Sequence, residues 1–267
     1  MKVKRYLVGC SAVISALAAC SDNENIIALA GLLAVMVPIV SRKLDRKIEQ
    51  LKKEAAGIQQ YIDASLFAPA LHMPMANFGP FLPKSDIAEI VSKNFAAKDL
   101  EAVKNWYQNY AEFPAPMQVY YCQRENIQWD NNLREKYETF QNIWIGIACF
   151  LILVLGLCTG MTVAKFLSIL AWGAPLIDYL WENHGIINAD LQRLKEMRRL
   201  CSEFENEEKK QSDQQAQKVL TDIQEKIREH RERAFLIPDM FYKLLKKRHQ
   251  EQMERYSDTV RHMNGKQ

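Results

Sequence analysis

The chain has 267 residues, a formal net charge of +3 and a mean hydropathy of −0.25. That length holds one or two domains. The small net charge does not indicate a dedicated DNA- or RNA-binding surface, which needs a concentrated basic face, and neither nucleic acid is an expected partner. The averages conceal a segregation: apolar residues collect in four blocks and the remainder is strongly charged, whereas a soluble protein spreads its hydrophobes periodically.

The blocks come in two pairs. Residues 6–20 read YLVGCSAVISALAAC and residues 26–40 read IIALAGLLAVMVPIV. Residues 143–158 read IWIGIACFLILVLGLC and residues 166–177 read FLSILAWGAPLI. Few residues separate the members of a pair, so each pair predicts a helical hairpin that crosses a membrane out and back. A spanning helix needs about 20 apolar residues for about 30 Å of hydrocarbon. The blocks reach that length only when extended, the fourth to residues 161–181 with Lys165 snorkelling and Asp178 near the other end. Lys2, Lys4 and Arg5 precede the first block, and Arg42, Lys43, Arg46 and Lys47 follow the second, whereas the first hairpin tip carries Asp22 and Glu24. The positive-inside rule then puts both termini and the middle of the chain in the cytosol. The expected fold is an all-α membrane protein: a first transmembrane hairpin over 1–41, a cytosolic helical region over 42–142, a second hairpin over 143–181 and a cytosolic C-terminal helical region over 182–267.

Between the pairs, Leu44, Ile48, Leu51, Ala55, Ile58 and Ile62 recur at alternating spacings of four and three. That is a heptad seam on a helix continuing the second block. It either packs on its own domain or joins copies of the chain, and a homo-oligomer is expected from the second alternative. Residues 68–84 hold four prolines and read as a loop. Ser85 or Asp86 caps a helix over 85–95, and residues 99–110 read as a second short helix carrying Trp106 and Tyr107. A helix over 117–142 feeds the third block. After the fourth block, Leu191, Leu194, Met197, Cys201 and Phe204 mark one amphipathic helix and Leu220, Ile223 and Ile227 another, with an exposed charged turn at 205–215 between them. IPDMFY, residues 237–242, starts a last helix with Met240, Phe241, Leu244 and Leu245 on its apolar side, fraying after about residue 257.

No P-loop, GxSxG, HExxH or GxGxxG occurs, the five histidines are scattered, and the six cysteines form no CxxC. Neither an enzyme nor a metal site is expected, and no cofactor.

The stretches IQQYIDASLF (58–67), KNWYQNY (104–110), CQRENIQWDNNLREKY (122–137), APLIDYLWEN (174–183) and IQEKIREHRERAFLIPDMFY (223–242) carry a resemblance. The chain resembles a bacterial family of pore-forming effectors with four transmembrane helices, encoded beside SMODS-type nucleotidyltransferases in CBASS antiphage systems. The resemblance implies a job. The nucleotidyltransferase makes a cyclic oligonucleotide on infection, the effector senses it and assembles, and the breached membrane ends the infection by abortive death of the cell. The activator so implied presents phosphates and flat bases, for which a binder needs cations and aromatic faces. Lys104, Trp106, Tyr107, Arg124, Asn126, Trp129 and Arg134 are the candidate ligand residues, against the alternative that Trp129 packs and Arg134 pairs structurally with Asp130. Gly173 and Pro175 are candidates for a pore-lining kink, and Asp178 for a water-facing charge at membrane depth. Two further readings stay open. The chain is alternatively a membrane-anchored scaffold, or an envelope lipoprotein cleaved before Cys20, since residues 17–20 have the form of a lipoprotein cleavage site.

Overall fold

The computed structural model describes residues 2–19, 23–94, 106–158, 162–207 and 212–264. Among them every regular element is a helix: α1 (Lys2–Ala19), α2 (Glu24–Ala70), a 3-10 turn (Met75–Phe78), α3 (Lys84–Asn94), α4 (Ala115–Cys158), α5 (Val163–Glu207), α6 (Asp213–Arg233) and α7 (Asp239–Asn264). α2, α4 and α5 have 47, 44 and 45 residues. At about 1.5 Å per residue each is roughly 65–70 Å long, over twice the hydrocarbon thickness of a bilayer. The second, third and fourth apolar blocks are therefore parts of longer helices whose remaining turns are polar. Gly173 and Pro175 lie inside α5, which runs on without a break.

The chain divides into two compact units, each gathered from separate stretches. The first comprises Met1–Gln50, Glu135–Ala189 and Phe235–Pro238. Its buried residues include small ones: Ser11 and Ala18 on α1, Ala30 and Ser41 on α2. Val8, Val37 and Ile187 are buried too, but many of its large apolar side chains face out: Leu29, Leu32, Val35 and Ile39 on α2, Ile143 and Phe150 on α4, Leu167 and Ile177 on α5. Water penalises such an exterior, whereas hydrocarbon does not, and small residues are what membrane helices place between one another. Tyr6, Trp144 and Trp181 are exposed as well. α2 is the one helix among the described residues long and apolar enough by itself to cross a membrane. Lys4 on α1 is 7% exposed and lies 2.9 Å from Asp45 of α2 and 3.5 Å from Glu182 of α5. Gln141 of α4 donates to the Leu180 carbonyl of α5 at 3.1 Å.

The second unit comprises Leu51–Arg134, Asp190–Ala234 and Asp239–Gln267. Its core joins Ala64 and Phe67 of α2, Tyr120 and Ile127 of α4, Leu194, Met197 and Phe204 of α5, and Leu220, Ile223 and Ile227 of α6. Tyr121 packs on Tyr110, Phe113 and Tyr120 with ring centroids 5.2, 4.9 and 5.2 Å apart. The apolar seams expected on α5 and α6 are thus core seams. Ser212 caps α6 through a capping box with Gln215, and residues 208–211 of the expected turn lie outside the described residues.

The heptad seam of α2 points away from this core. Between residues 51 and 67 the buried positions are Ala56, Gly57, Gln60, Asp63, Ala64 and Phe67, on the side of the helix opposite Leu51, Ala55, Ile58 and Ile62 by the 3.6-residue period. Leu51 and Ile62 are 53% and 51% exposed. Leu44, Ile48 and Ile58 are half-buried.

Gly57 belongs to the buried side because a Cβ there would lie 2.7 Å from Cγ of Leu82. Gly57→Ala gains about 1 kcal/mol of helix propensity but overpacks, at a cost of about 1–3 kcal/mol. The expected result is a lower Tm for Gly57→Ala, restored by the added change Leu82→Ala. A Tm raised by Gly57→Ala alone would contradict this packing.

Four expectations are corrected. α3 starts one residue early, with the Pro83 carbonyl accepting the Asp86 and Ile87 amides, so Ser85 and Asp86 sit in its first turn rather than at its cap. Residues 99–105 of the expected second short helix lie outside the described residues, and 106–110 are not helical. Side chains hold that backbone instead: Glu125 accepts the Gln108 amide and Asn109 accepts the Ala111 amide. α7 does not fray at 257 but continues to Asn264, because Ser257 is buried and Arg261 pairs with Glu112 and donates to the Asn109 carbonyl. On α7 Met240 and Leu244 stand 82% and 76% exposed, since the packing face is that of His249 and Met253.

Candidate functional site

The polar-aromatic stretch of α4 enters two buried networks of the second unit. The first centres on Asp63 of α2, 4% exposed. Its carboxylate accepts the Tyr107 hydroxyl at 2.6 Å, the Gln224 amide at 2.9 Å and the Arg231 guanidinium at 2.6 Å. Asn126 donates to the Tyr107 oxygen at 2.7 Å. Gln224 also donates to Gln60, which in turn donates to the Phe78 carbonyl, and Gln123 donates to Gln224 and to the Leu220 carbonyl. Burial pushes the Tyr107 hydroxyl far up, reinforced by the Asp63 charge. It therefore stays a neutral donor. Burial works against the Arg231 charge, but Asp63 overcomes it and raises its pKa. α2, α4 and α6 are thereby pinned in one register, because a buried acceptor left without donors costs about 1–3 kcal/mol.

The second network closes on itself. Arg134 donates to Asp130 at 3.0 Å and to Asp190; Arg193 donates to Asp190 and reaches His230 Nδ1 at 3.5 Å; His230 Nε2 lies 2.6 Å from Asp130. Asp190 is fully buried, and Arg134 and His230 are 5% and 3% exposed. Burial pushes the Asp130 carboxyl up, but the Arg134 charge and the hydrogen bond with His230 prevail and hold it well below the usual carboxylate range. Arg193 also walls an open groove of about 280 Å³ whose rim carries Glu196, Lys226 and Glu229 over Met197.

The remaining candidates fall elsewhere. Arg124 donates to the Tyr120 hydroxyl at 2.6 Å and to Glu205 at 2.8 Å. Trp129 stands edge-on to His249 at 5.4 Å. Trp106 is 51% exposed. Lys104 and Cys20 lie outside the described residues, and Asp178 is exposed. The structure brings Tyr107 to Asn126 and Arg134 to Asp130, but not these pairs to Arg124 or Trp129. Asp63, Gln224, His230 and Asp190 are network members that hydropathy reading passes over. Gln224 and His230 belong to the buried set of α6 with Leu220, Ile223 and Ile227, and that helical spacing is the signal that could have found them.

Glu125 is 7% exposed beside Gln108 and Tyr110. Burial lifts its carboxyl from 4.5 to about 7, partly offset by the bonds from the Gln108 amide and the Tyr110 hydroxyl. The folded chain thus keeps a proton that the unfolded chain releases first. This group's stabilisation is complete below its unfolded pKa of 4.5 and is lost as pH rises to about 7, by about 2–4 kcal/mol. Glu125→Gln should melt with the wild type at pH 4 and several degrees above it at pH 8. Equal Tm at pH 8 would contradict the assignment.

Burial chemistry also settles the thiol here. Cys122 is pushed up to about 12, chiefly by burial and then by the Glu125 and Asp63 charges, so it remains a protonated packing residue.

Among the described residues these features define a helical membrane protein with an apolar-surfaced unit and a charge-laced unit, to each of which α2, α4 and α5 contribute. Residues 5–260 match the SMODS-associating 4TM effector domain. The match covers nearly the whole chain, and the chain belongs to that family. Membership gives it an effector role in CBASS-type systems, with a functional link to a SMODS nucleotidyltransferase. No curated protein and no solved structure matches it.

Proposed function

We propose that the chain breaches the bacterial inner membrane when its partner nucleotidyltransferase makes a cyclic oligonucleotide. The observation that carries this reading is the apolar exterior of the first unit, where Leu29, Leu32, Val35, Ile39, Ile143 and Phe150 stand exposed, in a chain of an effector family. α1 with the apolar half of α2 forms one transmembrane hairpin, and the apolar ends of α4 and α5 form the other, with both termini cytosolic. The Lys4–Asp45 and Gln141–Leu180 contacts are those of antiparallel pairs and support this topology. Lys4 also ties α1 to α2 and α5, which favours α1 as a retained span over a leader cleaved before Cys20.

Copies of the chain assemble along the outward seam of α2, with Gly173, Pro175 and Asp178 at the pore. The nucleotide is received around Trp106, whose exposed indole offers a stacking face one residue from the Tyr107–Asp63 bond. Lys104, Arg124, Asn126, Trp129 and Arg134 complete the candidate set. Binding there bears directly on a network that holds α2, α4 and α6 in register.

The test in cells pairs the effector with an active or an inactive nucleotidyltransferase while a potential-sensitive dye is followed. Depolarisation within minutes, only with the active enzyme, is the expected result. Growth arrest with the membrane potential intact would overturn the reading.

A further inference from the structure

The first turns of α7 carry a surface that neither network uses. Met240, Lys243, Leu244 and Lys247 are spaced i, i+3, i+4, i+7 and so share one face. Met240 and Leu244 are 82% and 76% exposed, while His249 and Met253 on the opposite side are each 2% exposed. Lys246 and Arg248 are exposed alongside. Among the described residues none of these four cations has an ion-pair partner. Basic charge is concentrated in this stretch, whereas the rest of α7 interleaves Glu251, Glu254 and Asp258 with its arginines. The chain enters the face directly from Phe235–Pro238, a segment of the apolar-surfaced unit in which Phe235 stacks on Tyr137 at 5.6 Å.

We propose that this face is a lipid-headgroup contact: Met240 and Leu244 enter the interface, and Lys243, Lys247 and Arg248 meet anionic phosphates. Two long apolar side chains flanked by unpaired cations match an anionic bilayer surface in both charge and hydropathy. An acidic protein would satisfy the lysines but leave Met240 and Leu244 without a stated partner. The inference rests on the membrane reading above and deepens it, because it gives the C-terminal helix its own grip on the bilayer, sensitive to lipid charge.

The test is hydrogen exchange of the full chain in nanodiscs of neutral lipid and of neutral lipid mixed with about one-third phosphatidylglycerol. Exchange over residues 239–248 should slow by about tenfold in the anionic discs. That protection should vanish in Lys243→Glu/Lys247→Glu and in high salt, while the apolar half of α2 stays protected in every disc. Equal exchange in both lipids, with α2 protected, would overturn the inference alone and leave the face to a protein partner. Loss of α2 protection, with the chain eluting apart from the discs, would overturn the membrane reading and this inference together.

Discussion

Asp190→Ala is expected to destabilise the second unit by about 3–5 kcal/mol, the cost of breaking a buried ion pair from one side. Asp190 is completely buried and accepts from both Arg134 and Arg193. Its loss leaves Arg134, 5% exposed, with Asp130 and one carboxylate fewer. Asp190→Asn keeps an acceptor and should cost less. Thermal melts of the detergent-solubilised chain give the reading: a large drop for alanine and a smaller one for asparagine. Alanine melting with the wild type would mean that the closed ring does not hold these helices. Apolar residues of matching volume can replace a buried ring without loss of stability. The ring's contribution is therefore better sought in register. It fixes α4, α5 and α6 against one another through Asp130 and Arg134, Asp190 and Arg193, and His230.

Charging the outward seam should have the opposite profile, leaving the fold alone and removing assembly. Leu51 and Ile62 are both about half-exposed in the single chain. Glutamate at each position loses little packing within one copy, and exposed substitutions usually change stability by no more than about 0.5 kcal/mol. Between copies the same glutamates would face one another across an apolar seam, where like charges repel. Leu51→Glu/Ile62→Glu should keep the wild-type Tm and lose both the oligomer, read by cross-linking in vesicles, and the membrane breach. Wild-type oligomer size in this variant would remove α2 as the association surface.

Two of the long helices were legible because periodicity runs between an apolar block and polar sequence without a breaking residue, across residues 42–56 on α2 and 118–142 on α4, whereas Gly173, Pro175 and Gly185 hid the continuity of α5. The core seams of α5 and α6 were legible for the same reason. What hydropathy hid was a polar core. Gln60, Asp63, Gln123 and Gln224 occupy buried helical positions, and their partners lie up to 168 residues away in the chain. The seam of α2 showed the same ambiguity: spacing marks an apolar face but not whether that face meets its own domain. Residues 106–110 and the end of α7 were misread because Glu125, Asn109 and Arg261 capture backbone and side-chain groups through contacts that local propensity does not contain. The candidate ligand residues were legible as chemistry but not as geometry. Arg124, Asn126, Trp129 and Arg134 sit close on one helix, yet their partners are spread out: Glu205 and Asp190 at separate places on α5, Tyr107 in a loop and His249 on α7.

The most direct measurement is release of a trapped dye from liposomes holding the purified protein, before and after adding each of a panel of cyclic di- and trinucleotides. The account predicts rapid release with one member of the panel, absent without ligand and absent in Leu51→Glu/Ile62→Glu. Liposomes that stay sealed with every nucleotide, although the protein is fully inserted, would contradict a nucleotide-gated breach by this chain.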